Sequence, residues 1–380
     1  MILVPLQQIA WSDFEALVAT AEPEGRDIEY KEATPSGADS DKLEFLADIS
    51  SLANTNGGDL IFGVREEGGN AVEAPGIEVD NADSLILRLE AMVRDGLEPR
   101  LTVQSRWVPH PGESNKGILI MRLPASLAAP HRIRFKNSGK FFSRLSRAKQ
   151  EMDVHQLRDA FLASADLPSR LRKIHTEWVD DAQRNRPLTL IGGADIHLTI
   201  VPISVLRERL DLALTLNATV FPPVMGSAID YTQTLDGWLN FVPPNDKGAV
   251  WSYVLTARRG YVQASFNCGN ADHGGHFIFT DDAERAIYHT VENSVDKLTA
   301  LGVDGPWAVF MTMNRVEHYT LHFGPYSHNP VRKIQLPSTL SFPEQFLDAV
   351  SEESVMPLLR LMWYAFGVER PQGRPVGGKS

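Results

Sequence analysis

The chain has 380 residues, of which 43% are hydrophobic and 22% charged, and its net charge is −11. That length is too great for one ordinary core and fits two globular domains. No apolar run reaches the roughly 18 residues of a membrane span, and a single cysteine, Cys268, excludes a disulfide framework and a cysteine zinc cluster.

The start, Met1 to Gln8, lacks a basic region and has too short an apolar stretch for a signal peptide, so the cytoplasm is the expected compartment. Ser12-Asp13-Phe14-Glu15 reads as a capping box opening a short helix through Leu17 and Val18. Glu24 to Glu32 reads as extended, with Ile28 and Tyr30 inward and Asp27, Glu29 and Lys31 on the other face. Thr34-Pro35-Ser36-Gly37 breaks the pattern. A helix follows from Asp39 to Asn54, and Asn56-Gly57-Gly58 stops it. Leu60 to Val64 is a buried strand, and Glu66 to Asn70 is a turn. A helix over Ala82 to Asp95 precedes strands at Leu101 to Val108 and Gly117 to Leu123. Arg132 to Arg144 suggests a hairpin turning at Asn137-Ser138-Gly139. Asp153 to Leu162 is helical, and a polar helix from Pro168 to Arg186 bridges the domains. Beyond it, strands are expected at Ile196 to Pro202, Leu239 to Val242, Trp251 to Ala257, Tyr261 to Asn267, Trp307 to Met313 and His318 to Phe323. Helices are expected at Leu206 to Leu216, Asp281 to Leu301 and Pro343 to Val350.

The negative total conceals a strong asymmetry. From Arg100 to Lys149 there are eleven Lys and Arg against one acid, Glu113, while Ala21 to Pro99 holds nineteen acids against six bases. An acidic half and a basic half thus share one domain, so basic groups can hold phosphates. Ordinary surface charge that averages out in the fold is the plainer alternative.

Two stretches carry the most information: Glu24-Gly25-Arg26-Asp27-Ile28-Glu29-Tyr30-Lys31, and Leu52-Ala53-Asn54-Thr55-Asn56-Gly57-Gly58 running into the Leu60 to Val64 strand. A third is Lys140-Phe141-Phe142-Ser143-Arg144. In this order they resemble the Schlafen-like, Alba-type family, over roughly Trp11 to Leu162. The resemblance implies an α/β (α+β) domain with a mixed sheet that binds nucleic acid. In the Schlafen branch it also implies a metal-dependent ribonuclease built on three carboxylates. Glu24 and Glu29 match the first two, and Glu66 or Glu67 would supply the third. Arg65 stands where relatives often have Asp, a departure from the family pattern.

Clustered carboxylates suit Mg²⁺ or Mn²⁺, hard cations that prefer oxygen ligands. Such a metal activates water and neutralises phosphoryl charge. Glu24, Glu29 and Glu66 are the expected ligands, with Glu67 as substitute, and Lys31 would contact phosphate or the attacking water. Glu24 and Glu29 face opposite ways in a plain strand and converge only if Gly25 turns the chain. Arg132, Arg134, Lys136, Lys140, Arg144, Arg147 and Lys149 form the expected phosphate-binding segment. Strand alternation puts Arg132, Arg134 and Lys136 on one face, and the phenylalanines of the segment go to the core. Asn54 to Gly58 reads chiefly as a helix cap and turn.

Elsewhere the signals are weaker. Gly373 to Ser380 matches the phosphate-binding loop pattern, but that loop needs a strand before it and a helix after it, so no ATP is expected. Cys268, His273 and His276 have unusual spacing for zinc. His318 and His322 share a strand face as ordinary hydrogen-bonding residues. The expected organisation is a nucleic-acid-binding domain over residues 1–165, a helical linker over 166–187, a second α+β domain over 188–370 and a flexible tail over 371–380. The expected function is a metal-dependent endonuclease acting on structured, tRNA-like RNA, in bacterial defence or stress, with no membrane partner and with homo-oligomers allowed. The alternative is a non-catalytic DNA-binding regulator with a C-terminal sensor domain.

Overall fold

Leu60-Ile61-Phe62 contains no polar residue, and the computed structural model gives the reason: this strand is buried on both faces. The structure describes all residues except 1, 3, 5, 125, 127, 146, 147, 207–209, 224–227, 273, 274, 304, 324–334, 379 and 380. The chain divides into two units, residues 1–168 and 169–380.

In the first unit α1 (Trp11–Ala19) precedes β1 (Ile28–Lys31), α2 (Asp39–Ala53) and β2 (Gly58–Phe62). A hairpin follows, β3 (Arg65–Glu67) and β4 (Asn70–Glu73), then β5 (Ile77–Glu78), α3 (Ala82–Gly96), β6 (Leu97–Glu98), β7 (Gln104–Pro109) and β8 (Lys116–Leu123). The unit closes with β9 (Arg132–Ile133), β10 (Phe142–Arg144) and β11 (Lys149–Glu151). β1 and β2 pair in parallel, β2 and β8 antiparallel, and β8 also pairs with β5 and β7, so the sheet is mixed. Alternation sends Leu60, Phe62, Leu119 and Met121 to a core with α2 and α3. Ile61, Ile118 and Ile120 go to a second core with α1. A sheet covered on both faces shows continuous apolar strands. At the β1–β2 approach only glycine fits: Gly58 has φ +130°, and a Cβ there would sit 2.3 Å from the Asp27 carbonyl oxygen.

α4 (Val154–Gln183) is one continuous helix where two were expected, and the unit boundary falls at its internal Pro168. In the second unit come β12 (Asp195–Pro202), β13 (Asp230–Gln233), β14 (Gly237–Phe241), β15 (Ser252–Ala257), β16 (Tyr261–Asn267), β17 (Gly269–Asp272) and β18 (Gly275–Phe279). α5 (Thr280–Ala300), β19 (Trp307–Asn314), β20 (Thr320–His322), β21 (Thr339–Ser341), β22 (Gln345–Leu347) and α6 (Glu352–Ala365) complete it. Eight strands form one sheet in the order β13-β14-β15-β16-β12-β19-β21, with β22 also on β19. One face buries Ile196, Leu198, Ala264, Phe266 and Met311 under α5 and α6. The opposite face carries Asp195, His197, Thr199, Ser265 and Thr312, all buried, and Thr199 and Thr312 bond to His175 of α4.

Several expectations change. α1 is capped at Ala10, whose N–H donates to the Asp13 carboxylate at 2.7 Å, not at Ser12. The described part of Leu206 to Leu216 forms no α-helix, and Pro343 to Val350 contains strand β22 instead of a helix. Within that span, pairing of Gln345, Phe346 and Leu347 with β19 decides the conformation. In the tail, contacts to the second unit continue up to Gly377. Arg370 forms a buried ion pair with Glu284, its Nε 2.7 Å from Oε1, and the Gly377 N–H donates to Glu284 Oε2 at 3.3 Å. Among the described residues no helix is long and apolar enough to cross a membrane.

Candidate nucleic-acid interface

The three motifs of the first unit are distant in sequence and meet in space. Parallel pairing of β1 and β2 sets Glu29 opposite Leu60 and Lys31 opposite Phe62. The third motif arrives on β10. Its Arg144 backbone N–H donates to Thr55 Oγ1 at 3.0 Å, and its guanidinium donates to Glu29 Oε2 at 2.6 Å. Asn54 is the staple. Its Nδ2 donates to the carbonyls of His131 and Phe142, each at 2.9 Å, and its Oδ1 accepts the His131 N–H at 2.6 Å. Side-chain bonds of this kind satisfy backbone groups where β9 and β10 are too short to pair fully. Asn54 and Thr55 thus act structurally, as expected of a helix end, but on the third motif as well as on their own turn.

Around Arg144 the ions alternate in sign. Glu29 Oε1 lies 2.7 Å from Lys31 Nζ, which lies 3.2 Å from Asp48 Oδ2. Asp48 Oδ1 lies 2.6 Å from Lys149 Nζ, which also pairs with Glu44. Burial would raise the Glu29 carboxyl, but Lys31 and Arg144 outweigh it and hold it below the usual range. Burial would lower the Lys31 ammonium, but Asp48 and Glu29 hold it well above its ordinary value. Asp48 was missed in the sequence. Its signal is a carboxylate within the otherwise apolar run from Phe45 to Ile49.

The chain bends just after Gly25, at Arg26 and Asp27. The Gly25 N–H donates to the Ile28 carbonyl at 3.1 Å, and Glu24 Oε1 accepts the Tyr30 N–H at 3.0 Å. Burial raises the Glu24 pKa, the Tyr30 amide opposes it, and repulsion from Glu29 and Glu66 adds to it. Glu66 comes near because the Gly69 carbonyl accepts the Glu24 N–H at 2.7 Å, while Glu66 Oε2 accepts the Gly69 N–H at 2.6 Å. Glu67, next in the same strand, is exposed and points to the other face. Arg65 pairs with Glu73 at 2.9 Å.

Glu24, Glu29 and Glu66 are therefore neighbours, yet they do not fit a metal as arranged. Each oxygen of Glu29 already carries a cation, and among the described residues no three His, Cys, Asp or Glu side chains are placed to hold a metal ion. Lys31, expected at a phosphate or water, is held between two carboxylates of its own unit.

The basic segment is likewise rearranged. Strand β9 ends at Ile133, and Lys136 and Asn137 take φ of +48° and +60° in the following turn, so the expected single strand face over Arg132, Arg134 and Lys136 does not form. Arg132 and Arg134 remain exposed on either side of buried Ile133. Arg132 pairs with Glu98, Lys136 with Asp39 at 2.8 Å and Lys140 with Glu151 at 2.7 Å. Arg144 points inward and is buried, which removes it from the expected surface set. Arg147 lies outside the described residues. Among the described residues Arg134 is in no ion pair. Phe135 and Phe142 pack on the α2–α3 core, as expected, and Phe141 meets Phe161 edge to face at 6.1 Å.

In the second unit His273 lies outside the described residues, Cys268 is partly buried and His276 is exposed. His318 precedes β20, and His322 stands between Phe277 and Phe279 rings 5.9 and 4.9 Å away. In the loop-like stretch from Gly373, Lys379 and Ser380 lie outside the described residues, and the Gly377 carbonyl accepts from Arg285 at 2.9 Å.

The family model described as Schlafen, AlbA_2 matches residues 24–153. No curated protein matches the chain. Among solved structures, the DIP2311 protein from Corynebacterium diphtheriae is similar at 18% identity and a TM-score of 0.28. That similarity covers 40% of this chain and 27% of the other, so it spans little more than a quarter of that protein.

Proposed function

Given that residues 24–153 are a Schlafen, AlbA_2 domain, we propose that this chain binds nucleic acid through backbone phosphates along the Arg132–Lys140 turn of its first unit. The observation that carries this reading is that Arg132, Arg134, Lys136 and Lys140 are all exposed on the one short segment that leads into the Arg144 motif. Three of these bases hold acids in exposed ion pairs. Such pairs contribute about 0–1 kcal/mol each, so a phosphate can replace the carboxylate at little cost. Arg134 is exposed to meet a phosphate directly. Phosphate binding releases counterions, so affinity should fall steeply with salt.

The test is a gel shift of the full chain on duplex RNA, duplex DNA and tRNA at two salt concentrations, beside a variant with Arg132, Arg134 and Lys136 changed to Gln. Binding should weaken, and the salt dependence should flatten by roughly one counterion for each phosphate that the variant no longer neutralises. Equal binding by the variant would refute the assignment. Metal-dependent cleavage of tRNA-like RNA is a second reading, supported by the approach of Glu24, Glu29 and Glu66. It requires Glu29 to leave Arg144. The expected result with total tRNA and Mn²⁺ is binding without scission, and cleavage abolished by Glu24→Ala with Glu29→Ala would reverse the order of the two readings.

A further inference from the structure

A cavity of about 540 Å³ opens within the second unit between α5 and the end of the large sheet. Small-molecule sites span roughly 300–1,000 Å³, so this volume suits a ligand of modest size. The cavity exists for a local reason. Asp282, Ala286, His289 and Asn293 recur three or four residues apart, so one stripe of α5 faces it. In that wall Ala283 and Ala286 are small side chains, which leave room beside the core that they help to line. Opposite them stand Phe266, Asn267 and Cys268 at the end of β16.

The mouth is aromatic. Phe221 is 42% exposed and Trp251 37% exposed, both lining the cavity, with Pro222 and Pro223 beside them. Large apolar side chains left wet around a concavity mark a binding surface more than a packing accident. The nearby charges are satisfied internally. Arg285 is held by Asp282 at 3.2 Å and by the Gly377 carbonyl, and His289 lies 3.1 Å from Glu292. A neutral ligand therefore meets no unbalanced charge. Ser252, Asn267 and Thr290 donate to the carbonyls of Pro223, Ile191 and Ala286, which leaves their oxygens as acceptors for a substituent, and Asn293 adds an amide.

We infer that this cavity is a binding site for a neutral, planar aromatic small molecule, stacked against Phe221 and Trp251 and oriented by the asparagines of α5 and β16. The site lies wholly within the second unit and is independent of the nucleic-acid reading. Ring-on-ring packing of this kind favours offset or edge-to-face geometry, which two aromatic walls supply.

The test uses the full chain and the neutral fluorescent probe phenylnaphthylamine. Titration should give saturable fluorescence enhancement with one probe per chain, and the probe should raise the melting temperature, because a ligand of the native state stabilises it. Ala286→Phe fills the cavity, and Phe221→Ser removes the mouth. Each should weaken binding by about tenfold or more, equivalent to about 1.4 kcal/mol. If Ala286→Phe loses the native circular dichroism spectrum, Phe221→Ser decides, since its half-exposed ring contributes little to the core. Unsaturable binding by the wild type, a melting temperature that falls with probe, or undiminished affinity in the native variants would each overturn the assignment.

Discussion

Both units bury a cluster of polar side chains, and they differ in which members water reaches: two lysines in the first, and in the second Arg315, which pairs with Asp195 outside the His197–Ser265 pair. In the first, the alternating ions from Arg144 to Lys149 end in side chains that are 31% exposed at Lys31 and 22% exposed at Lys149. In the second, His197 Nε2 lies 3.0 Å from Asp195 Oδ1 and Nδ1 lies 2.8 Å from Ser265 Oγ. That row of acid, imidazole and hydroxyl has the composition of a hydrolytic triad. Yet His197 is 1% exposed and Ser265 is fully buried on the sheet face where α4 packs, so no substrate reaches the hydroxyl. Its bonds link β12 to β16 across a register pair and hold the sheet. Residue types alone do not separate the two clusters. Access does.

The sharpest way to break this comparison is to remove Arg144. Arg144→Ala leaves Glu29 buried with one cation fewer, and unfolding of the first unit in urea should show a loss of about 3–5 kcal/mol. A loss below about 1 kcal/mol would mean that the open cluster does not depend on the third motif. Asn54→Ala removes the staple, and with it the bonds to the His131 amide and to the His131 and Phe142 carbonyls, for an expected loss of about 2–3 kcal/mol in the same measurement. Equal stability would show that β9 and β10 hold themselves.

Acid should act on the closed cluster. Burial, with the charge of His197 adding, pushes the His175 pKa down to about 3. In the unfolded chain a histidine titrates near 6.5, so the unfolded state takes up the proton first. The stabilisation is full above about pH 6.5 and is lost as pH falls toward 3. At pH 5 the deficit relative to pH 7 is about 2 kcal/mol. His175→Gln should remove that share of the acid sensitivity, read from denaturant midpoints at the two pH values. The same slope in the variant would place the sensitivity elsewhere. Smallest of all, Lys136→Ala breaks an exposed pair with Asp39 and should change stability by less than about 1 kcal/mol, while weakening nucleic-acid binding measurably. A large stability loss without a binding change would contradict the open-surface reading of the first unit.

Hydrophobic spacing alone made most elements legible, because α2, α3, β2, β8, β12, β15, β16, β19 and α5 bury faces whose period is local. The two misread helices, Leu206 to Leu216 and Pro343 to Val350, are short stretches whose conformation long-range pairing settles. α6, unread in the sequence, holds Leu358, Leu359, Met362 and Trp363 buried against the sheet. The motifs also disclosed their own neighbourhood: Glu24 to Lys31, Asn54 to Gly58 and Phe141 to Arg144 come together, with the chain bending at Arg26 and Asp27. Which groups face water was decided in three dimensions. Arg144 lies 115 positions from Glu29, and only the fold brings its guanidinium onto that carboxylate. An ion pair depends on distances that no local pattern encodes, so the sequence specified the residues of the cluster while packing decided that Glu29 meets cations from its own chain.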